Sequence, residues 1–425
     1  MTSGAFFVLP QGENHSAVDD YAILEWPTVG TATETVVSDL AWNLAPLQDS
    51  APQVADLVHL AAGAYMTDRN TPRGVRFSRD LSLKVAVLTP QLWTDELCDA
   101  VAGLLGWLTG DAWYLTVTPA ADIDIPEPTT LATGSTNPVS LLSGGLDSFL
   151  GALHLLQDGQ HPQFIGHKDT ATSIRQAQNS VGRWLTQAFT PAPSYSRIAL
   201  TQAGSRREPS SRSRSLMFLS LGVAAAVSCG GKSLIVPENG YTGINLPLRP
   251  NRGGALSTRS THPETFFRFG QILESLAIDV TVTNPFEWMT KGEAMSMVAA
   301  SSPPTGWLEA AALTLSCSKL DGNWFEASPN YNCGLCVPCL VRRATFIKAG
   351  VPDMTIYVCD AVTGDPLNKL IDARRGDIEA VKYAIAGGVD EDAIDAGTWP
   401  PGYDLDQAQA LVKRGLDELA MVTLP

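Results

Sequence analysis

Val139-Ser140-Leu141-Leu142-Ser143-Gly144-Gly145-Leu146-Asp147-Ser148 reads as an apolar strand that breaks into a Ser/Gly turn and re-enters a helical pattern at Phe149, Leu150, Ala152, Leu153, Leu155 and Leu156. Two glycines let successive backbone N–H groups point at one spot. The first turn of the following helix adds unpaired N–H groups and the positive end of its dipole. The stretch predicts an anion cradle, with Ser143 and Ser148 as hydroxyl donors to phosphate oxygens and Gly144, Gly145 and Leu146 lending backbone. Asp147 has the wrong charge for a phosphate contact and suits Mg²⁺ or the ordering of the loop. No lysine stands in the turn, which argues against the G-x-x-x-x-G-K-[ST] loop of kinases and GTPases.

Composition sets the frame around that stretch. A chain of 425 residues has room for two or three domains at roughly 100–200 residues each. Its 44 acidic against 29 basic residues give a net charge of −15, which disfavours non-specific nucleic-acid binding through a basic face. The most apolar run, residues 216–227, is shorter than the roughly 20 residues of a membrane span and contains Ser220, so it reads as a buried helix. Met1-Thr2-Ser3-Gly4 opens no signal peptide, and a cytoplasmic protein is expected. Four of the seven cysteines fall between 317 and 339, which favours metal over disulfides.

In chain order, strand patterns at 5–9, 21–26, 83–88 and 113–117 alternate with helical patterns at 54–65 and 94–108, giving an expected α+β domain over residues 1–125. Its run Arg73-Gly74-Val75-Arg76-Phe77-Ser78-Arg79-Asp80 is either a solvated strand edge or, with arginines three apart, a docking edge for a partner. Residues 121–138, rich in Pro, Thr and Asp, read as a linker centred on 126–137. From 139 onward strands at 164–166, 196–200, 233–236 and 279–283 alternate with helices at 174–189, 213–229 and 264–276. That spacing predicts a doubly wound parallel sheet over 138–315. Such sheets bind ligands beyond the carboxyl ends of their strands, which selects Ser143–Ser148, Gly166-His167-Lys168 and Pro237-Glu238-Asn239-Gly240. Gly166, His167 and Lys168 would offer adenosine contacts, and Lys168 either reaches a phosphate or is an ordinary surface lysine.

Thr290-Lys291-Gly292-Glu293 reads as a capping box that accounts for Thr290 and Glu293. Lys291 is left over, either as the cation that neutralises departing pyrophosphate or as an exposed lysine. Cys317, followed by Cys333-x-x-Cys336-x-x-Cys339, fits a closed tetrahedral Zn²⁺ site within a module over 316–350. An iron–sulfur cluster and a redox pair are the competing readings. Cys98, Cys229 and Cys359 read as ordinary buried cysteines. Residues 351–425 read as a helical tail, in which 376–388 has the look of one helix-turn unit of an ankyrin repeat.

Ser143-Gly144-Gly145-Leu146-Asp147-Ser148 resembles the PP-loop of the N-type ATP pyrophosphatases. Together with Phe218-Leu219-Ser220-Leu221, Trp288-Met289-Thr290-Lys291-Gly292-Glu293 and Cys317…Cys333-Gly334-Leu335-Cys336-Val337-Pro338-Cys339-x-x-Arg342-Arg343, it resembles the 7-cyano-7-deazaguanine synthase (QueC) family over about residues 138–350. The resemblance implies the adenine nucleotide alpha hydrolase (HUP-like) fold, with ATP, Mg²⁺ and Zn²⁺ as cofactors. It further implies adenylation of 7-carboxy-7-deazaguanine, capture of the acyl group by ammonia and dehydration to a nitrile. The added N-terminal domain and tail, Ile165-Gly166-His167-Lys168, and the loop at 238–248 followed by Ser257-Thr258-Arg259-Ser260-Thr261-His262-Pro263 depart from the plain synthase. The longer architecture is similar to QueC-like proteins of bacterial anti-phage defence operons, such as the QatC group, which implies an operon-encoded protein partner as acyl acceptor. The N-terminal domain would dock that partner or shape the acceptor channel. Arg259 and His262 are the candidate substrate-loop residues, one to hold a carboxylate or phosphate and one to transfer protons, unless both face solvent. RNA base thiolation or amidation, and a non-catalytic ATP-binding subunit, are the alternatives.

Overall fold

Parallel strands need a crossover to bring the chain back to the same edge, and helices supply most of those crossovers here. The computed structural model describes residues 3–10, 21–26, 36–38, 51–74, 78–120, 137–168, 171–202, 208, 212–249 and 259–425. The N-terminal part contributes β1 (Ser3–Pro10), β2 (Ala22–Trp26), β3 (Val36–Ser38), α1 (Pro52–Asn70), β4 (Asp80–Val87), α2 (Asp95–Thr109) and β5 (Ala112–Pro119). The central part contributes β6 (Val139–Leu141), α3 (Leu146–Gln157), β7 (Gln163–His167), α4 (Thr172–Ala188), β8 (Tyr195–Ile198), β9 (Leu200–Gln202), α5 (Arg214–Ser228), β10 (Ser233–Ile235), α6 (Gly240–Ile244), α7 (Pro263–Ser275) and β11 (Thr281–Thr283). The remainder is α8 (Lys291–Ala300), α9 (Trp307–Ala312), α10 (Val337–Ala349), α11 (Val358–Ala361), α12 (Gly364–Gly387), α13 (Glu391–Asp395) and α14 (Leu405–Leu419).

Two parallel sheets result, one of four strands in the order β2-β1-β4-β5 and one of five in the order β11-β10-β6-β7-β8. The first corrects the α+β expectation: α1 and α2 act as crossovers, so β1, β4 and β5 pair in parallel. Helix α2 has the caps its sequence calls for. Thr94 accepts from the Leu97 N–H, Asp95 and Glu96 occupy the first turn, and Gly110 closes the helix at φ 74°. β3 and β9 form a separate antiparallel pair.

The N-terminal half is not set apart. Helix α1 packs on α5 and α2 on α7, so one apolar core runs from Leu57 and Leu104 into Leu216, Met217, Phe269 and Ile272. Asp68 at the end of α1 accepts from the backbone of Arg212 and Ser213 and from the Ser213 hydroxyl (2.9 Å), holding the start of α5. Arg79 is 2 % exposed and pairs with both Asp68 and Asp111 at 2.6 Å, while Arg73 pairs with Asp111 at 2.8 Å. The docking edge expected at Arg73 and Arg79 is therefore an internal ion-pair cluster. Arg76 and the linker at 126–136 lie outside the described residues.

At the other end, α12 runs unbroken through Gly376, in place of the ankyrin-like helix-turn unit. Helix α14 packs on α6 and α10 through Leu411, Val412 and Leu416 against Ile244, Leu340 and Val341. No described helix is long and apolar enough to cross a membrane.

Candidate nucleotide cleft and metal centre

The register of the second sheet brings three loops to one edge, because Ile235 pairs with Ser140 and Leu141 with Ile165. Behind β6, Gly144 sits at φ +88°, where a Cβ would be strained and would lie 3.0 Å from Gln178 Cγ and 3.1 Å from its backbone nitrogen. The turn is already ordered by its own hydroxyls. Ser143 N–H donates to Ser148 Oγ (3.2 Å), Gly145 N–H to Ser143 Oγ (3.3 Å), and Ser148 Oγ to the Gly145 carbonyl (3.1 Å). Gln178 Nε2 donates to the carbonyls of His167 (2.8 Å) and Ser143 (3.3 Å), and Leu315 N–H donates to the Gly144 carbonyl (3.0 Å). The loop is thereby fixed to β7 on one side and to the cysteine module on the other.

A cavity of about 370 Å³ opens over these strand ends, lined by Ser143, Gly144, Gly145 and Ser148, by Gly166 and His167, and by Glu238. Phe218 of α5 forms part of the wall, its ring 5.4 Å from His167 and 5.4 Å from the Arg214 guanidinium. The glycine at 166 is required by packing: a Cβ there would meet the Leu142 carbonyl at 2.7 Å and Tyr195 Oη at 2.8 Å. Lys168 is exposed, donates its backbone N–H to Ile198 (2.9 Å), and is not among the lining residues.

Beside the loop lies a buried charged cluster. Lys291 Nζ is 2.9 Å from Asp147 Oδ2, and Asn239 Nδ2 donates to Asp147 Oδ1 at 3.1 Å. Asn239 also caps α6 by accepting from Thr242 N–H (3.0 Å). The capping box forms as read, with Thr290 N–H to Glu293 Oε2 at 2.9 Å and Glu293 N–H to Thr290 Oγ1 at 3.1 Å. Lys291 is thus a buried ion-pair partner, and the exposed-lysine reading falls. Glu238 stands at the cavity wall next to this pair, and its carboxylate accepts no hydrogen bond from the described residues. Burial, then the nearby Asp147 charge, push its carboxyl up to about 8 against the opposing pull of Lys291.

Arg259 and His262 fall on other duties. Arg259 donates to the Trp107 carbonyl (3.1 Å) and lies 3.9 Å over the Trp107 ring. His262 caps α7 by accepting from Glu264 N–H at Nδ1 (3.1 Å), and its ring sits between Trp107 (5.3 Å) and Trp399 (4.8 Å). Burial, then Arg259, push the imidazole down to about 4, leaving it neutral. Neither side chain lines the cavity, although Ser260 and Thr261 between them do. Ser257 and Thr258 lie outside the described residues.

The four cysteines converge. The sulfurs of Cys317, Cys333, Cys336 and Cys339 all lie within 4.8 Å of one another, with Cys317–Cys336 and Cys333–Cys339 at 3.9 Å. Tetrahedral Zn–S bonds of about 2.3 Å require sulfurs about 3.8 Å apart. Backbone N–H groups of Cys333 (3.4 Å) and Lys319 (3.5 Å) point at Cys317 Sγ, and that of Cys336 (3.2 Å) at Cys333 Sγ, as suits thiolates. Hydrogen bonding, from Cys333 first, holds Cys317 below the usual thiol range. Cys336 and Cys339 hold Cys333 at about 6 against the influence of Cys317, while Cys317 and Cys333 raise Cys336 and Cys339. Four thiolates need a cation to ionise together, so the cluster suits a metal ion such as zinc. Arg342, fully buried, fixes the approach to this site by donating to the Ala311 carbonyl (2.6 Å), Thr314 Oγ1 (2.8 Å) and Ser316 Oγ (3.1 Å). Cys359 stays outside the cluster, accepting from Arg343 at 3.1 Å, with burial pushing its thiol up to about 12.

Sequence reasoning gave no role to Gln178, Arg214 or the side chains of Glu238 and Asn239. The switch-point rule had selected the loop at 237–240, but no pattern in it marks Asn239 as a partner of Asp147. Compared with family models and with curated proteins, the chain matches none.

Proposed function

We propose that this protein is an ATP-dependent adenylating enzyme of the PP-loop type, a carbon–nitrogen ligase that forms AMP and pyrophosphate. The observation that supports this most is the left-handed, self-ordered turn at Ser143–Ser148 at the carboxyl edge of a parallel sheet. It opens on a cavity of about 370 Å³ and has one buried cation, Lys291, beside it. Backbone N–H groups of the turn and the start of α3 bind the pyrophosphate moiety, and Lys291 offsets the charge that develops on it as the substrate carboxylate attacks the α-phosphorus. Asp147 and Glu238 are the residues that would hold Mg²⁺, a hard cation suited to carboxylates, and when bound it neutralises phosphate charge. His167 and Phe218 supply flat surfaces for a base, and Gln178 keeps the loop in register with β7.

The acid that best fits the QueC-like reading is 7-carboxy-7-deazaguanine or a relative. Its acyl-adenylate passes to ammonia or to an amine on an operon-encoded partner protein in anti-phage defence. Zinc at Cys317, Cys333, Cys336 and Cys339 is structural, since four protein ligands leave no open position. Substrate-dependent exchange of labelled pyrophosphate into ATP tests the reading. Exchange that requires 7-carboxy-7-deazaguanine supports it, and no exchange with folded, zinc-loaded protein overturns it.

A further inference from the structure

The C-terminal segment packs on the stretch that carries Lys291, behind the cavity wall. Within α14, Glu418 accepts from the Thr290 hydroxyl and from the Gly292 N–H (3.3 Å), the two residues that flank Lys291. Four residues earlier, Arg414 donates through Nε to Glu293 (2.7 Å) and through Nη2 to the Trp288 carbonyl (2.9 Å). Both ends of the stretch that carries Lys291 are therefore held by one helix. That helix also touches the stretch that carries Asn239: a Cβ on Gly415 would overlap the Tyr241 ring at 2.2 Å, and one on Gly240 would lie 2.7 Å from Leu411. Just ahead of it, Tyr403 stacks on Trp288 (4.8 Å) and Trp399 (5.1 Å), and Trp399 on His262 (4.8 Å), next to Ser260 and Thr261 in the cavity wall.

Glu418 is 4 % exposed, and a carboxylate facing the first N–H groups of α8 meets the positive end of that helix. Its charge is satisfied by the capping residue and the backbone, and the whole contact fixes the helix start from which Lys291 reaches Asp147. Arg414 adds a charge-assisted bond to the other half of the same capping box.

We infer that the C-terminal helix is a working part of the cleft, in which Glu418 and Arg414 are positioning residues that hold Lys291 against Asp147. The inference rests on the adenylation reading only for what Lys291 then does. In Glu418→Gln the charge that faces the first N–H groups of α8 is lost and one accepting oxygen becomes an NH₂ group, which loosens the start of α8 and the hold on Lys291.

Amine footprinting of the full chain with a water-soluble ester reads this without catalysis. Labelling of Lys291 is expected to rise about tenfold in Glu418→Gln and in Arg414→Ala, with labelling of the exposed Lys232 unchanged. Lys413→Ala, which removes only a surface pair with Asp417 on the same helix, should change neither. Unaltered Lys291 labelling in both folded variants overturns the inference whatever the protein catalyses. Calorimetry with magnesium pyrophosphate supplies the functional arm. Lys291→Ala and Glu418→Gln should each weaken binding about tenfold, and the double variant should bind no worse than Lys291→Ala, because Glu418 acts through Lys291. A double variant that loses the product of the two single losses assigns Glu418 an independent structural role and contradicts the inference. A wild-type protein that binds no pyrophosphate counts against the adenylation reading, and the labelling result still decides the positioning role.

Discussion

Two buried ion-pair clusters of this molecule differ in one respect. At the waist, Arg79 bonds Asp68 Oδ1, both oxygens of Asp111 and the carbonyls of Asp68 and Thr71, while Arg73 shares the two Asp111 oxygens and Arg212 and Ser213 take Asp68 Oδ2. At the cleft, Asp147 is shared by Lys291 and Asn239, and next to them Glu238 carries a carboxylate with no hydrogen-bond donor among the described residues. The first cluster is closed and joins two halves of a core. Of the second, Glu238 alone reaches the cavity wall, with Asp147, Asn239 and Lys291 packed behind it, so among the described residues its carboxyl is the one polar group of the pair of clusters left for a ligand to complete.

The cysteine cluster extends the comparison, because four close thiols are closed only by a metal. Cys333→Ser should lose the metal and the order of the surrounding module, with an effect on the order of 10 kcal/mol at most, the scale of structural zinc binding. Elemental analysis is expected to give one zinc per chain in the parent. Iron with visible charge-transfer bands, or folded protein with no metal, would contradict the zinc assignment.

Arg79→Ala breaks the closed cluster and leaves Asp68 and Asp111 buried without their main partner. Denaturant unfolding should show a loss of about 3–5 kcal/mol, with pyrophosphate exchange per folded molecule unchanged. A variant as stable as the parent would mean that the waist is not a buried charge cluster in solution. Asp147→Asn should do the reverse at the cleft: exchange falls about 10²-fold or more while the fold persists. Equal loss of stability and activity in both variants would erase the distinction drawn here.

The smallest effect tests the open carboxylate. Glu238 titrates at about 8 in the fold against 4.5 for an ordinary glutamate, so between those values the folded state holds a proton that the unfolded chain releases. Its contribution to stability therefore declines as pH rises from about 4.5 to about 8. Urea midpoints of parent and Glu238→Gln should diverge in favour of the variant as pH is raised from 6 to 9. Parallel curves would show that Glu238 is ionised throughout.

What the sequence made legible follows from how local each signal is. The strands at β6, β7 and β10 and the helices between them are read from periodicity, and parallel pairing follows from their alternation. Thr290 and Glu293 are three residues apart, and Cys333, Cys336 and Cys339 form a short series, so both show in a short window. Arg79 was misread because arginines are seldom buried, and its burial depends on Asp68 and Asp111, which are distant in sequence. His262 was misread as a catalyst because nothing before the fold shows that it caps α7 beneath Trp399. The N-terminal sheet was assigned the wrong class because the same strand and helix pattern admits either pairing until the crossovers are placed.

The central claim is that the open cluster and the Ser143–Ser148 turn serve cleavage of ATP between its α- and β-phosphates. The direct measurement is the product mixture after the full chain is incubated with ATP, Mg²⁺ and 7-carboxy-7-deazaguanine. AMP and pyrophosphate in equal amounts, both lost in Asp147→Asn, are predicted, whereas ADP and phosphate as the sole products would contradict the account.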